Sequence, residues 1–135
     1  MGNGMAERVK PEGEIILVAD DDESARAFVK LILGKEGYCV LEAADGDLAL
    51  ETGKRASPPV DLLIADVVMP GLRAPELAAR LREGNPGMQA LFISGYTGDI
   101  LLERGLFQNH LEFMPKPFTA PTLLHKVRHM LQAGR

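Results

Sequence analysis

A single cysteine, Cys39, stands among the 135 residues. It excludes an intrachain disulfide framework, and no CxxC pair or zinc-type spacing is present. In Tyr38-Cys39-Val40-Leu41 it reads as a small buried strand residue. No apolar stretch approaches membrane-spanning length, and the first residues lack the hydrophobic run of a signal peptide. No membrane contact is therefore expected, and the cytoplasm is the default compartment. Positive charge is not in excess: 15 Lys and Arg against 19 Asp and Glu leave a net charge of −4, which argues against nonspecific nucleic-acid binding. Internal repeats and low-complexity tracts are lacking too. What is present is an ordinary globular composition, 46% hydrophobic and 25% charged, in a length that suits one domain with a real core. Residues 1–14, small, polar and charged, read as a linker or tag-like segment; the domain is expected over 15–133.

The chain is organised around Val60–Gly71, VDLLIADVVMPG. An apolar run broken only by Asp61 leads into Asp66, the pattern of a strand buried on both faces. A carboxylate at the end of such a run is costly unless that end opens to solvent or to a cation. Met69-Pro70-Gly71 then breaks the strand. Upstream, Ile15–Ala19 is a short apolar strand that ends in Asp20-Asp21-Asp22-Glu23. A helix follows with Ala25, Phe28, Val29, Ile32 and Leu33 on one face; Asp22 or Ser24 caps its start and Gly37 lies past its end. Tyr38–Ala43 is a second strand, and Asp45-Gly46 turns into a helix around Leu48–Arg55. Pro75 suits the first turn of a third helix, with Leu77, Ala78 and Leu81 inward. Ala90–Ile93 is a fourth strand ending in Ser94-Gly95, and a short helix is expected around Asp99–Arg104. His110–Met114 is a fifth strand, followed by Pro115-Lys116-Pro117. Thr119 caps the last helix, whose stripe is Leu123, Leu124, Val127, Met130 and Leu131. Five strand–helix alternations predict an α/β domain: a parallel sheet with helices on both faces and right-handed crossovers.

Ligands of such sheets sit beyond the carboxyl ends of the strands. Those ends carry Asp20 and Asp21, Asp66, Ser94 and Lys116; the second strand ends in Ala43-Ala44 and offers nothing. Taken singly, each has an ordinary structural role, as helix-start acid, turn residue or loop punctuation. Taken together, at four strand ends of one sheet, they are poorly explained by chance. Two unit charges ~4 Å apart repel by about 1 kcal/mol in bulk water and about 4 kcal/mol at an effective dielectric of 20. A divalent cation removes that cost, and Mg²⁺ fits best, because it takes oxygen ligands and favours sites completed by a phosphoryl group; Mn²⁺ could substitute. An Asp beside Mg²⁺, a Lys and a hydroxyl is a phosphoryl-acceptor arrangement.

In this order the segments ILVADDDES, LEAADGDLALE, DLLIADVVMPG, LFISGYT and FMPKPF resemble the receiver domain of bacterial two-component response regulators, over essentially Ile15 to Leu131. The resemblance implies a single-domain flavodoxin-like (βα)5 fold with strand order 2-1-3-4-5. It implies that Asp66 takes a phosphoryl group from the phosphohistidine of a sensor histidine kinase or histidine phosphotransfer protein. By the same resemblance Asp21 and Asp66 ligate Mg²⁺ directly, Asp20 largely through water, and the Val68 main-chain carbonyl is a further ligand. Ser94 is the hydroxyl that moves to the phosphoryl group, and Lys116 contacts it before a cis Pro117. Phe113 falls at the aromatic switch position. Val68 and Tyr96 fall where the lifetime of the acyl phosphate is tuned, and both side chains are expected to crowd the attacking water. Ala74 replaces a frequent glycine, with a minor local effect expected. LFISGYT is similar to receivers of hybrid histidine kinases, so a stand-alone regulator and a kinase-borne receiver both stay open.

Two other functions compete. Asp20-Asp21-Asp22-Glu23-Ser24 formally fits the opening motif of haloacid-dehalogenase-like phosphatases, with Ser94 and Lys116 as later motifs. That family also needs acidic metal ligands after the lysine, and none follows Glu112. A pseudo-receiver that binds without being phosphorylated is opposed by the intact Asp20, Asp21, Asp66, Ser94 and Lys116 set. The chain is thus not expected to be an enzyme beyond its own phosphorylation and dephosphorylation. No DNA-binding segment is expected after Leu131, so output is expected through a protein surface, that of the fourth helix, fifth strand and last helix, or through further domains outside this sequence. On the last helix Lys126 and Arg128, with no acidic neighbour, suit an acidic partner or form a merely solvated basic face.

Overall fold

The computed structural model describes residues 13–95 and 112–133. In chain order these form β1 (Ile15–Ala19), α1 (Glu23–Lys35), β2 (Cys39–Ala43), α2 (Gly46–Arg55), β3 (Leu62–Asp66), α3 (Ala74–Gly84), β4 (Gln89–Ser94), β5 (Phe113–Pro115) and α4 (Ala120–Ala133). The strands make one parallel sheet in the order β2-β1-β3-β4-β5, the expected 2-1-3-4-5 arrangement of a flavodoxin-like α/β domain.

Side chains alternate across a strand, so each apolar run feeds two cores. Leu17, Ala19, Leu63, Ala65 and Phe92 face α2 and α3 and pack with Ala49, Leu77, Ala78 and Leu81. Ile16, Val18, Leu62, Ile64, Leu91 and Ile93 face α1 and α4 and pack with Val29, Leu33, Leu123 and Val127. This is why β1, β3 and β4 read as continuous hydrophobic runs. β1 leads outward to edge strand β2, whereas β3 returns to the other side of β1, so the connection reverses direction between β1 and β3. The register there pairs Ala19 with Ala65, which sets Asp20 beside Asp66 one residue on.

The helix ends follow their capping residues. Asp22 accepts from the Ser24 and Ala25 N–H groups and starts α1. Asp45 accepts from Leu48 N–H, so α2 begins at Gly46 rather than near Leu48. Thr119 Oγ1 accepts from Thr122 N–H at the start of α4. Among the described residues no helix is long and apolar enough to cross a membrane.

Several expectations need correction. Phe28, on the expected apolar face, is nevertheless 40% exposed; its ring lies against Phe118, centroids 6.2 Å apart. Cys39 lies in a strand as expected but is half-buried, since β2 is an edge. Lys126 and Arg128 do have acidic neighbours, supplied by other elements: Glu112 pairs with Lys126 and Glu36 with Arg128. Ala74 is fully buried where α3 starts. The fifth strand is described only as Phe113–Pro115. Tyr96, the expected helix around Asp99–Arg104 and His110–Leu111 lie outside the described residues.

Candidate functional site

Where β1 runs out of core to fill, Asp20 turns its carboxylate back toward its own loop. Its Oδ1 accepts from Asp22 N–H at 2.9 Å, so the residue that caps α1 also orients Asp20. Arg26 Nη1 donates to the Asp20 main-chain carbonyl at 2.6 Å, while Arg26 Nε pairs with Glu42 at 3.2 Å. Arg26 belongs to no motif in the sequence. Its one signal is a cation near a helix N-terminus, where the macrodipole disfavours it unless a tertiary partner holds it.

Asp66 ends β3. Its Oδ1 accepts from Val68 N–H at 2.9 Å, and Val67 N–H donates to the Ile93 carbonyl at 2.8 Å, which ties the departing loop to β4. Ser94, at the end of β4, is fully buried, and its carbonyl accepts from Lys116 N–H at 2.7 Å. That bond and the Ser94–Pro115 register bring Lys116 over the sheet edge. Lys116 Nζ donates to Asp66 Oδ2 at 2.6 Å and to Asp20 Oδ2 at 3.2 Å. The Lys116–Pro117 peptide bond is cis. Asp20, Asp21, Asp66, Ser94 and Lys116, separate in sequence, therefore share one edge of one sheet. Val68 is 57% exposed on the β3–α3 loop. Phe113 is half-buried against the core beneath α2 and α3.

Electrostatically the site is in deficit. Asp20 is 4% and Asp66 7% exposed, and among the described residues one ammonium serves both. Burial, against the restraining hydrogen bond from Asp22 N–H and with the added charge of Asp66, raises the Asp20 pKa above its ordinary value. Burial would lower Lys116, but the hydrogen bonds and charges of Asp66 and Asp20 outweigh it and raise its pKa. Asp20, Asp21 and Asp66 each offer a carboxylate oxygen, all within 4.8 Å of one another. Oxygens around an octahedral ion with ~2.1 Å bonds lie at most about 4.2 Å apart, so small carboxylate rotations would close the shell. Three hard oxygen donors, one of them exposed Asp21, fit a small divalent cation. Beside Lys116 an open groove of about 490 Å³ runs between the start of α1 and Phe118.

Residues 16–128 match the family model of the response regulator receiver domain. The chain is 34% identical over 117 residues to the sensor kinase CckA of Brucella abortus (strain 2308), covering 87% of this chain and 12% of the kinase. It is 33% identical over 119 residues to the response regulator receiver protein CpdR of the same organism, covering 88% of this chain and 98% of CpdR. Among solved structures, the receiver domain of the hybrid histidine kinase CckA superposes with a TM-score of 0.71 at 36% identity, over 87% of this chain and 98% of that one. The chain thus spans about an eighth of the kinase it matches and nearly all of CpdR.

Proposed function

The chain belongs to the response regulator receiver domains of two-component systems, and on that premise we propose that it takes a phosphoryl group onto Asp66. The donor is the phosphohistidine of a sensor histidine kinase or a histidine phosphotransfer protein, the metal is Mg²⁺, and the product switches a protein-interaction surface. The observation that carries this reading is Lys116 Nζ held between Asp66 and Asp20, with Asp21 completing a three-carboxylate cluster.

In the transfer an Asp66 carboxylate oxygen attacks phosphorus. The bond from phosphorus to the histidine nitrogen breaks, and the imidazole leaves with that electron pair. Val68 N–H, bound to Asp66 Oδ1, keeps the carboxylate plane fixed during the approach. Lys116 exchanges its bond to Asp66 Oδ2 for one to a phosphoryl oxygen, a move within reach of a 2.6 Å contact. Ser94 turns its hydroxyl to another phosphoryl oxygen. Asp20, Asp21, Asp66 and the Val68 carbonyl would hold Mg²⁺, or Mn²⁺ in its place; when bound, the ion offsets charge on the equatorial oxygens. Val68 shields the acyl phosphate from water, and Tyr96, outside the described residues, is the second position that tunes its lifetime.

The switch shifts an existing two-state equilibrium, read out by a partner on the surface that includes Phe113 and α4. Since Lys126 and Arg128 are already paired with Glu112 and Glu36, an acidic partner has to displace those pairs. The family matches favour neither a phosphatase nor an unphosphorylated pseudo-receiver. Acetyl phosphate with Mg²⁺ should label the protein stoichiometrically. The label should vanish with chelator and in Asp66→Asn; label retained by Asp66→Asn, or none on the wild type, rejects the proposal.

A further inference from the structure

Gly46 opens α2, one residue after its cap, in a stretch where the sequence suggests only a turn. A Cβ built on it would lie 1.9 Å from the Leu72 carbonyl oxygen and 2.7 Å from Leu72 N. Those atoms are backbone, so the position admits glycine alone unless the β3–α3 loop moves. Gly46 N–H also donates to the Pro70 carbonyl at 3.0 Å. Gly71 closes the same contact from the other side: its φ is +79°, and a Cβ there would lie 2.8 Å from Asp47 Oδ2. By contrast, Gly34 and Gly84, both in helices, have no described atom within 4 Å of where a Cβ would lie.

The loop is therefore fastened at two places. Val67 N–H to Ile93 and Val68 N–H to Asp66 fix its start; Pro70 and Leu72 on the first turn of α2 fix its middle. Only Met69 separates the two fastenings. We propose that Gly46 is a positioning residue for the phosphoacceptor pocket. By lacking a side chain and bonding Pro70 it sets the height of the loop that carries the Val68 carbonyl and N–H. This rests on the reading that the Val68 carbonyl ligates Mg²⁺. A methyl at position 46 pushes Leu72 and Pro70 outward, and the rigid turn transmits that shift to Val68. The effect falls on metal affinity and not only on the core.

The test compares Gly46→Ala with Val127→Ala, which truncates a fully buried side chain on the opposite face of the sheet. Both are expected to melt below wild type. Mg²⁺ titration followed by amide NMR should give Gly46→Ala an affinity about tenfold or more below wild type, the cost typical of losing a residue that orients a metal ligand. Its Val68 amide signal should already be displaced before Mg²⁺ is added. Val127→Ala should bind as wild type does. Wild-type affinity in Gly46→Ala overturns the proposal, since a purely structural glycine would lower stability alone. If Gly46→Ala does not fold, hydrogen exchange on the wild type decides. Coupling is reciprocal, so saturating Mg²⁺ must slow exchange of the Gly46 N–H, and an unchanged rate overturns the proposal. A wild type that binds no Mg²⁺ rejects the phosphoacceptor reading and this inference with it; equal binding by wild type and Gly46→Ala rejects the inference alone.

Discussion

At the end of the sheet where the strands start, Asp61 Oδ2 accepts from Ile15 N–H at 2.8 Å, and Asn85 Nδ2 donates to the Val60 carbonyl at 2.8 Å. The Gln89 side-chain amide reaches the Met130 carbonyl. At the end where the strands finish, Asp20 and Asp66 share Lys116 while Asp21 stands beside them. Both ends are polar and both border the same cores. At the first, each side chain meets main chain from a neighbouring segment, so its desolvation is offset and two elements are tied together. At the second, among the described residues, carboxylates outnumber the available ammonium, and burial together with the charge of Asp66 raises the Asp20 pKa. Polar groups that face backbone serve the fold, whereas like charges gathered under burial work against it until a ligand arrives.

The sharpest way to break this contrast is Asp20→Asn. Because the folded-state pKa of Asp20 lies above its ordinary 3.8, the folded chain binds that proton more tightly than the unfolded chain does. Stability therefore falls as pH rises through the window above 3.8, and the penalty is fully present at neutral pH. A neutral isostere removes it. Without Mg²⁺, Asp20→Asn should melt higher than wild type and lose that part of the pH dependence. With Mg²⁺ at 100 times its dissociation constant, wild type should gain about 2.7 kcal/mol and the variant much less, so the order of melting temperatures reverses. An Asp20→Asn chain that melts below wild type in chelator would show that the acidic end is as stabilising as the other.

The reverse behaviour is expected at the starting end. Asp61→Ala leaves the Ile15 N–H without that carboxylate and should cost about 1–2 kcal/mol, read as a lower urea midpoint at unchanged slope. Mg²⁺ stabilisation and the labelling rate per folded molecule should stay at wild-type values. A weakened Mg²⁺ response would mean that the two ends are coupled through β3.

How far each end can be read from the sequence follows from the same distinction. β3 is legible because a strand covered on both faces must be apolar throughout, and Asp66 stands out at the end of such a run. Asp20, Ser94 and Lys116 are legible because alternation of elements places strand ends on one edge. The role of Asp61 is not, since its partner Ile15 is 46 residues away and a hydrogen bond to backbone leaves no mark on residue type. Lys126 and Arg128 mislead for a similar reason: helical spacing shows neighbours on their own helix, while Glu112 and Glu36 come from other elements. Phe28 misleads because periodicity gives an angular position on a helix and says nothing of how far the covering element extends. Gly46 is visible as a turn residue, but the backbone it touches, Leu72, is fixed only by the packing of α2 against the β3–α3 loop.

Val68→Asn gives the smallest effect expected and probes the acidic end without touching its charge. The Val68 side chain is 57% exposed, and the main chain is held by its N–H bond to Asp66 Oδ1, which the substitution preserves. Stability should stay within about 0.5 kcal/mol of wild type. The isopropyl group offers water no hydrogen bond, whereas an asparagine amide both donates and accepts and can orient a water toward the acyl phosphate. After removal of acetyl phosphate, the label on Val68→Asn should decay about threefold faster, a change of roughly 0.7 kcal/mol in the barrier. A label that outlasts the wild type's would mean that Val68 does not shield the phosphoryl group, and that lifetime is set by residues nearer the cation.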